Sequence, residues 1–191
     1  METETIRVLS FDPGLTKAGW TILDYNPSTK IVSIVKFGYL TPGPNADRAA
    51  FREEVNTFGK HVISLRMLRE YVKELVEKYH PRYVATEGAF YNPRRPGAYG
   101  SLLQWIVTLE NFLYDEYKLP VYRIAPKKAK HSISGNGDSG KISVQEAVLS
   151  HDDIVFPDMN QSLLEMCEHE ADSMAIGYAF CMDTLPGLLN V

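Results

Sequence analysis

Residues 5 to 11 (TIRVLSF) form an apolar, β-branched run that stops at Asp12-Pro13-Gly14. Such a run reads as a buried strand. The proline and glycine end its pairing, so a carboxylate is left at an open edge of a sheet, a usual place for sites in α/β proteins. A second run, 82 to 86 (RYVAT), ends in the same way at Glu87. The intervening pattern constrains how the two are joined. Residues 19 to 25 (GWTILDY) and 30 to 40 read as two more strands, with Asn26-Pro27-Ser28 as the turn between them. Connections this short make a hairpin meander of the first three strands. A loop at 41 to 46 (TPGPNA) precedes a helix predicted from about 46 to 80. There Val55, Phe58, Val62, Leu65, Leu68, Val72, Leu75 and Tyr79 recur at spacings of three and four, and His80-Pro81 stops it. Helices are also predicted over about 98 to 117, 141 to 150 and 161 to 183, a strand over 120 to 125, and a glycine-bearing loop from Ser132 to Gly140. The later strand–helix alternation implies parallel crossovers. A mixed five-stranded α/β sheet with helices on both faces satisfies the whole order. If the first and fourth strands are parallel neighbours in it, Asp12 and Glu87 stand side by side. With 191 residues and no repeat, low-complexity tract or linker, the expectation is one domain over 1–191.

Composition enters through charge. The net charge of −4 argues against a nucleic-acid binder until its distribution is read. Residues 151 to 191 hold eight acids and no Lys or Arg, so residues 1 to 150 carry +4. The positive charge peaks where Arg123, Lys127, Lys128, Lys130 and Lys141 face only Asp138. A basic stretch attracts phosphates while an acidic segment holds cations; ordinary solvated surface with an acidic tail reads the same way on charge alone. Cys167 and Cys181 both fall in the predicted last helix. At about 1.5 Å per residue they are roughly 21 Å apart, too far to bond each other, so both are expected to be reduced. No apolar run approaches the ~18 residues that span a bilayer, and METETIRVLSFD does not read as a signal peptide. The expected location is the cytoplasm, or the nucleoplasm of a cell with a nucleus.

Each candidate residue has a bland alternative. Asp12 in Asp-Pro-Gly is equally a turn former. Glu87 ends a buried strand, which is costly unless the carboxylate is hydrogen-bonded, paired or bound to a metal. Phe90, Tyr91, Arg94 and Arg95 follow it. Aromatics and cations beside a carboxylate suit nucleic acid, whose bases stack and whose phosphates pair, although Phe90 and Tyr91 equally read as loop anchors. The last helix opens with Glu165, Glu168, His169, Glu170 and Asp172. His169 and Asp172 share a face at i, i+3, and Glu168 and Asp172 nearly do at i, i+4. The segment then turns small and apolar (ADSMAIGYA), which implies close packing. Acids turned toward close packing need compensation, and cations held jointly with Asp12 and Glu87 supply it; a solvated acidic face near a helix N-terminus is the alternative. Scattered carboxylates with a histidine suit hydrolysis of a phosphodiester by two Mg²⁺ ions, which needs no protein nucleophile. No GxSxG, HExxH, zinc-spaced Cys/His set or Walker loop is present, and Ser134 to Lys141 (SGNGDSGK) has the wrong spacing for a P-loop.

Four segments in order resemble the RuvC-like Holliday-junction resolvases of the RNase H-like superfamily. Phe11-Asp12-Pro13-Gly14 with Gly19 is similar to that family's opening IDPG…G motif, and Glu87-Gly88-Ala89-Phe90 to its central Glu with an aromatic three residues on. Pro126 to Lys141 (PKKAKHSISGNGDSGK) resembles its basic, glycine-bearing stretch, with Ser139 where Ala is usual. His169-Glu170-Ala171-Asp172 with Met174-Ala175-Ile176 resembles its final acidic helix. The resemblance implies an RNase H-like fold and a crossover junction endonuclease. It would act on four-way DNA junctions as a homodimer, leaving 5′-phosphate and 3′-hydroxyl ends, with two Mg²⁺ per site and Mn²⁺ also supporting activity. It implies Asp12, Glu87, His169 and Asp172 as catalytic metal ligands, His169 standing where many members have Asp. Glu168 is the alternative fourth ligand. Phe90 would stack at the junction centre, and Lys130 and Lys141 would contact phosphates. Arg94, Arg95, Lys127 and Lys128 are further DNA-contact candidates. The Arg94-Arg95 loop is longer and more basic than the family pattern, and the size and divergent motifs look like a virus- or phage-type member. The predicted 98–117 helix, with Leu102, Leu103, Trp105, Ile106, Leu109, Phe112 and Leu113, is apolar on more than one face, which fits a dimer surface or burial in one core. Three other readings are kept: a nuclease for RNA:DNA hybrids or flaps, a binder of branched DNA that does not cut, and a sugar-kinase or actin-type ATPase. The last needs two related lobes, and the chain has length for one.

Overall fold

A computed structural model describes residues 4–91, 93, 96–157 and 165–189. Three antiparallel strands come first: β1 (Ile6–Asp12), β2 (Ala18–Tyr25) and β3 (Val32–Leu40). β4 (Tyr83–Glu87) then pairs parallel with β1, and β5 (Val121–Ile124) parallel with β4. A two-residue strand, β6 (Ile154–Val155), adds parallel to β3, giving the order β5-β4-β1-β2-β3-β6. The sheet is thus mixed, as expected, but among the described residues it has six strands instead of five. Two residues are too short to leave an alternation that a sequence pattern reveals.

Helices cover both faces. On one lie α3 (Lys60–Tyr79) and α4 (Pro96–Tyr117), against a core that includes Leu9, Phe11, Trp20, Ile22, Leu68, Val72, Trp105 and Leu109. On the other lie α5 (Pro126–Ser134), α6 (Lys141–Ser150) and α7 (Glu168–Asp183), against Val8, Leu23, Phe37, Ala85, Ile133, Val144 and Phe180. The alternation of strand side chains sorts the two sets: Val8, Ser10 and Asp12 face α7, while Leu9 and Phe11 face α3 and α4.

Several boundaries differ from the sequence expectation. The helix predicted over 46 to 80 is broken into α1 (Pro42–Ala46), a 3-10 turn (Ala49–Phe51), α2 (Arg52–Phe58) and α3. Gly59 sits at φ +85, a conformation that only glycine adopts cheaply, so the hydrophobic register restarts there. Phe58 and Val62 are consequently exposed, and Ile63 is buried instead. Residues 126 to 134 are helical, with Pro126 in the first turn and Gly135 left-handed after the end, so the predicted loop shrinks to 135–140. The last helix begins at Glu168, while 161–164 lie outside the described residues. Cys167 is its N-cap and not part of it; Cys181 is buried within it, and both thiols are free. Trp105, Ile106, Leu109, Phe112 and Leu113 of α4 are buried in the chain's own core, with Leu102 and Leu103 half-buried. Among the described residues, no helix is long and apolar enough to cross a membrane.

Candidate active site

The parallel pairing of β1 with β4 sets the site. Phe11 is opposite Thr86, so Asp12 and Glu87 follow at the same level at the C-terminal ends of adjacent strands. Both point toward α7, as do Ser10 and Ala85 two residues earlier on the same strands. The N-terminal turn of α7 brings His169 and Asp172 to the same edge. Together with Phe90, Pro126, Ala129, Lys130, Lys141, Glu168, Ala175 and Ile176, these residues line a cavity of about 240 Å³. A larger cavity, about 660 Å³, opens between α5, α6 and residues 151–153, away from the carboxylates.

Two glycines and three hydroxyls dock α7 closely enough. A Cβ at Gly19 would stand 1.8 Å from the carbonyl oxygen of His169, and one at Gly177 would stand 2.4 Å from Leu23 Cδ2. Ser10 donates to the Ser173 carbonyl (2.8 Å), Thr21 and Ser173 share a hydroxyl contact of 2.6 Å, and Ser173 donates to the Glu170 carbonyl (2.7 Å). These hydroxyls are buried and satisfied, so they fix the helix without an orphaned polar group. Ser10, Thr21 and Ser173 were not singled out from the sequence. The available signal was a hydroxyl at inward-facing positions of two apolar strands. Gly19→Ala is expected to destabilise the protein by roughly 2 kcal/mol or more through backbone overlap, read as a lower midpoint in urea unfolding. A midpoint equal to wild type would mean that α7 does not press on β2 here.

The acidic residues of α7 separate by role. Glu170 is buried and its Oε2 accepts from the Cys167 amide (2.7 Å), closing a capping box. Glu168 instead pairs with Lys141 at 2.5 Å and lies 3.6 Å from His169 Nε2. His169 Nδ1 donates to Asp12 Oδ2 at 2.6 Å. That bond raises the His169 pKa above its ordinary value. Burial, despite the same bond, raises the Asp12 carboxyl above the usual range; only 9% of the residue is exposed. Glu87 is pushed up to about 8, first by burial and then by the charges of Asp12 and Asp172, with Lys130 opposing. Asp172 is pushed up to about 6 by burial and then by Asp12. Three carboxyls that resist ionisation at one mouth define a place where a cation is favourable.

The donor set tests this fit. Carboxylate oxygens and one imidazole suit hard divalent ions. Among the described residues, no three His, Cys, Asp or Glu side chains stand close enough to share one ion as they are placed. Asp12 Oδ2 is turned to His169, so joint ligation requires side-chain rotation on a fixed backbone. The chemistry of the donors fits a divalent cation, and the strand and helix positions converge on it.

The expected DNA-contact residues divide. Lys130, Lys141 and Phe90 line the cavity, Phe90 being 51% exposed. Lys127 pairs with Asp138 (2.8 Å), Lys128 approaches Asp183 (4.0 Å) and Arg123 pairs with Glu110 (2.6 Å), so most of the basic stretch is internally compensated. Lys127 and Lys128 do not line the cavity. Arg94 and Arg95 lie outside the described residues. Lys17 and Tyr39, beside the same edge, were not singled out.

No protein-family profile matches the chain. Curated relatives do. The chain is 26% identical over 148 residues to a protein of Bartonella henselae named crossover junction endodeoxyribonuclease RuvC, covering 76% of this chain and 78% of the relative. It is 26% identical over 179 residues to the protein of that name from Caldanaerobacter subterraneus subsp. tengcongensis, covering 92% of each. Among solved structures, Thermus thermophilus RuvC in complex with Holliday junction substrate superposes with a TM-score of 0.67 at 19% identity, over 95% of this chain and 96% of that one. The chain therefore has the RuvC, RNase H-like fold and is similar in sequence to RuvC resolvases along most of its length.

Proposed function

We propose that this chain is a Holliday-junction resolving endonuclease. The observation that carries the reading is the convergence of Asp12, Glu87 and Asp172, each held against ionisation by burial and the last two also by neighbouring carboxylates, on one cavity that also presents Phe90, Lys130 and Lys141. The likeness to RuvC proteins over nine-tenths of the chain supports it.

The reaction is hydrolysis of a phosphodiester. Water attacks phosphorus, the bond to the 3′ oxygen breaks, and that oxygen takes a proton, leaving 5′-phosphate and 3′-hydroxyl ends. Two Mg²⁺ ions, or Mn²⁺, would supply Lewis acidity toward the phosphate and acidify the attacking water. Asp12, Glu87, Asp172 and His169 would hold them. Glu168 is a weaker candidate for the fourth position, because Lys141 already neutralises it. Lys130 and Lys141 would position the strand through its phosphates, and Phe90 would stack on a base that the branch leaves unpaired. One domain over 1–191 would carry one site, so symmetric nicking of two strands calls for a homodimer.

The test is a labelled four-way junction, its matching duplex and an RNA:DNA hybrid, each incubated with Mg²⁺, Mn²⁺ or EDTA. Paired nicks confined to the junction and dependent on the cation are expected. Cutting of the hybrid alone, or binding without cutting under both metals, would remove this reading.

A further inference from the structure

The sheet edge that carries the carboxylates extends past them. Asp12 is opposite Gly19, and Gly19 is opposite Tyr39, so the three residues form one cross-strand row on the face that α7 covers. Two strand spacings of about 4.8 Å put Tyr39 about 10 Å from Asp12. Phe90 lies on the other side: it comes three residues after β4 ends at Glu87 and lines the cavity with Pro126 and Ala129, which follow β5, and β5 and β4 flank β1 opposite to β2. The two exposed aromatics thus bracket the acids, Tyr39 being 49% exposed.

Tyr39 is not a bare ring. Lys17 Nζ stands 4.1 Å from its centroid, a cation held on a π face. Lys17 ends the tight turn between β1 and β2, where a Cβ at Gly14 would stand 2.2 Å from the Lys17 carbonyl oxygen, so its backbone is fixed. Among the described residues Lys17 makes no ion pair, unlike Lys141, Lys127 and Lys128. Its charge is within electrostatic reach of Glu168 at the mouth of the cavity. A preorganised cation with no ion pair among the described residues, held on an exposed ring, has the chemistry of a phosphate contact beside a stacking surface.

We propose that Lys17 and Tyr39 form a second DNA contact, gripping the cleaved strand on the side of the scissile phosphate opposite to Phe90. This rests on the junction-nuclease reading. At about 3.4 Å per stacked nucleotide, the contact falls two to three nucleotides from the cleaved bond. Lys17 holds a phosphate, and Tyr39 both orients the ammonium and packs against the sugar or base.

The test is binding of the full chain to a labelled four-way junction in EDTA across a salt series. Binding is the readout because Lys17 also acts on Glu168. Lys17→Ala is expected to weaken binding about tenfold at low salt and to reduce the salt slope by about one. Lys17→Arg and Tyr39→Phe keep the cation and the ring and should stay within about twofold of wild type, whereas Tyr39→Ala should lose about tenfold. Ethylation of single phosphates should weaken wild-type binding at one position two to three nucleotides from the nick, and that effect should vanish in Lys17→Ala. An unchanged slope with unchanged interference overturns the contact. Wild-type protein that binds the junction but never cuts removes the nuclease reading alone; wild-type protein that binds no junction removes both.

Discussion

Asp12→Asn is expected to lower junction cleavage by about a thousandfold or more while leaving junction binding within a few fold of wild type. The substitution keeps the size of the side chain, and its amide oxygen still accepts the His169 hydrogen bond that now measures 2.6 Å. It removes one charge from the centre of the site. A thousandfold corresponds to about 4 kcal/mol of transition-state stabilisation, the scale associated with an essential electrostatic group. The residues proposed to hold the DNA, Phe90, Lys130 and Lys141, are left in place by the substitution, and removal of a negative charge favours phosphate approach. A second consequence follows from the same charge. Asp12 is one of the causes that raise both Glu87 and Asp172, so both should ionise at lower pH in the variant. Denaturing gels read the cleavage, and mobility shift in EDTA reads the binding. Cleavage at the wild-type rate would place the chemistry elsewhere on the chain.

The legibility of this site in the sequence follows from how each residue is held. Asp12 and Glu87 end short apolar runs, and one topological inference, parallel neighbours, brings them together. His169 and Asp172 share a helix face by spacing alone. The docking of α7 was only half legible. The run of small residues around Gly177 announces close packing, but Gly19 acquires its meaning from a carbonyl 150 residues away, and no local pattern encodes that. The basic stretch misled for a related reason. Sequence counts charges along the chain, whereas Lys127, Lys128 and Arg123 are neutralised by Asp138, Asp183 and Glu110 across turns and elements. Of that stretch, Lys130 and Lys141 line the cavity. The row Asp12, Gly19, Tyr39 was hidden for the same reason: it runs across three strands, perpendicular to the direction in which a sequence is read. The break at Gly59 was visible as a glycine, but an apolar stripe that continued on both sides concealed it.

Glu87→Gln is expected to abolish cleavage and yet stabilise the metal-free protein at alkaline pH. The sign follows from linkage. The Glu87 carboxyl has an ordinary value of 4.5 and is raised to about 8 in the folded chain. Between those values the folded state binds a proton that the unfolded state has released, so stability falls as pH rises through that window. Below about pH 4.5 the group is protonated in both states and carries no penalty. Above about pH 8 the charge is present in both states, and the folded one bears the full cost of holding it beside Asp12 and Asp172. Each pH unit of difference is worth about 1.4 kcal/mol, and partial solvation reduces the total to roughly 2–4 kcal/mol. Glutamine removes the charge and keeps the shape. In EDTA the variant should therefore melt about 4–16 °C above wild type at pH 8.5, with the gap closing at pH 4.5. Added Mg²⁺ should raise the wild-type midpoint at pH 8.5 more than the variant's, because the cation offsets a repulsion the variant no longer has. Thermal melts at the two pH values, with and without Mg²⁺, measure all four quantities. Parallel pH profiles for the two proteins would mean that Glu87 ionises freely in the fold, and the case for a cation there would lose its strongest support.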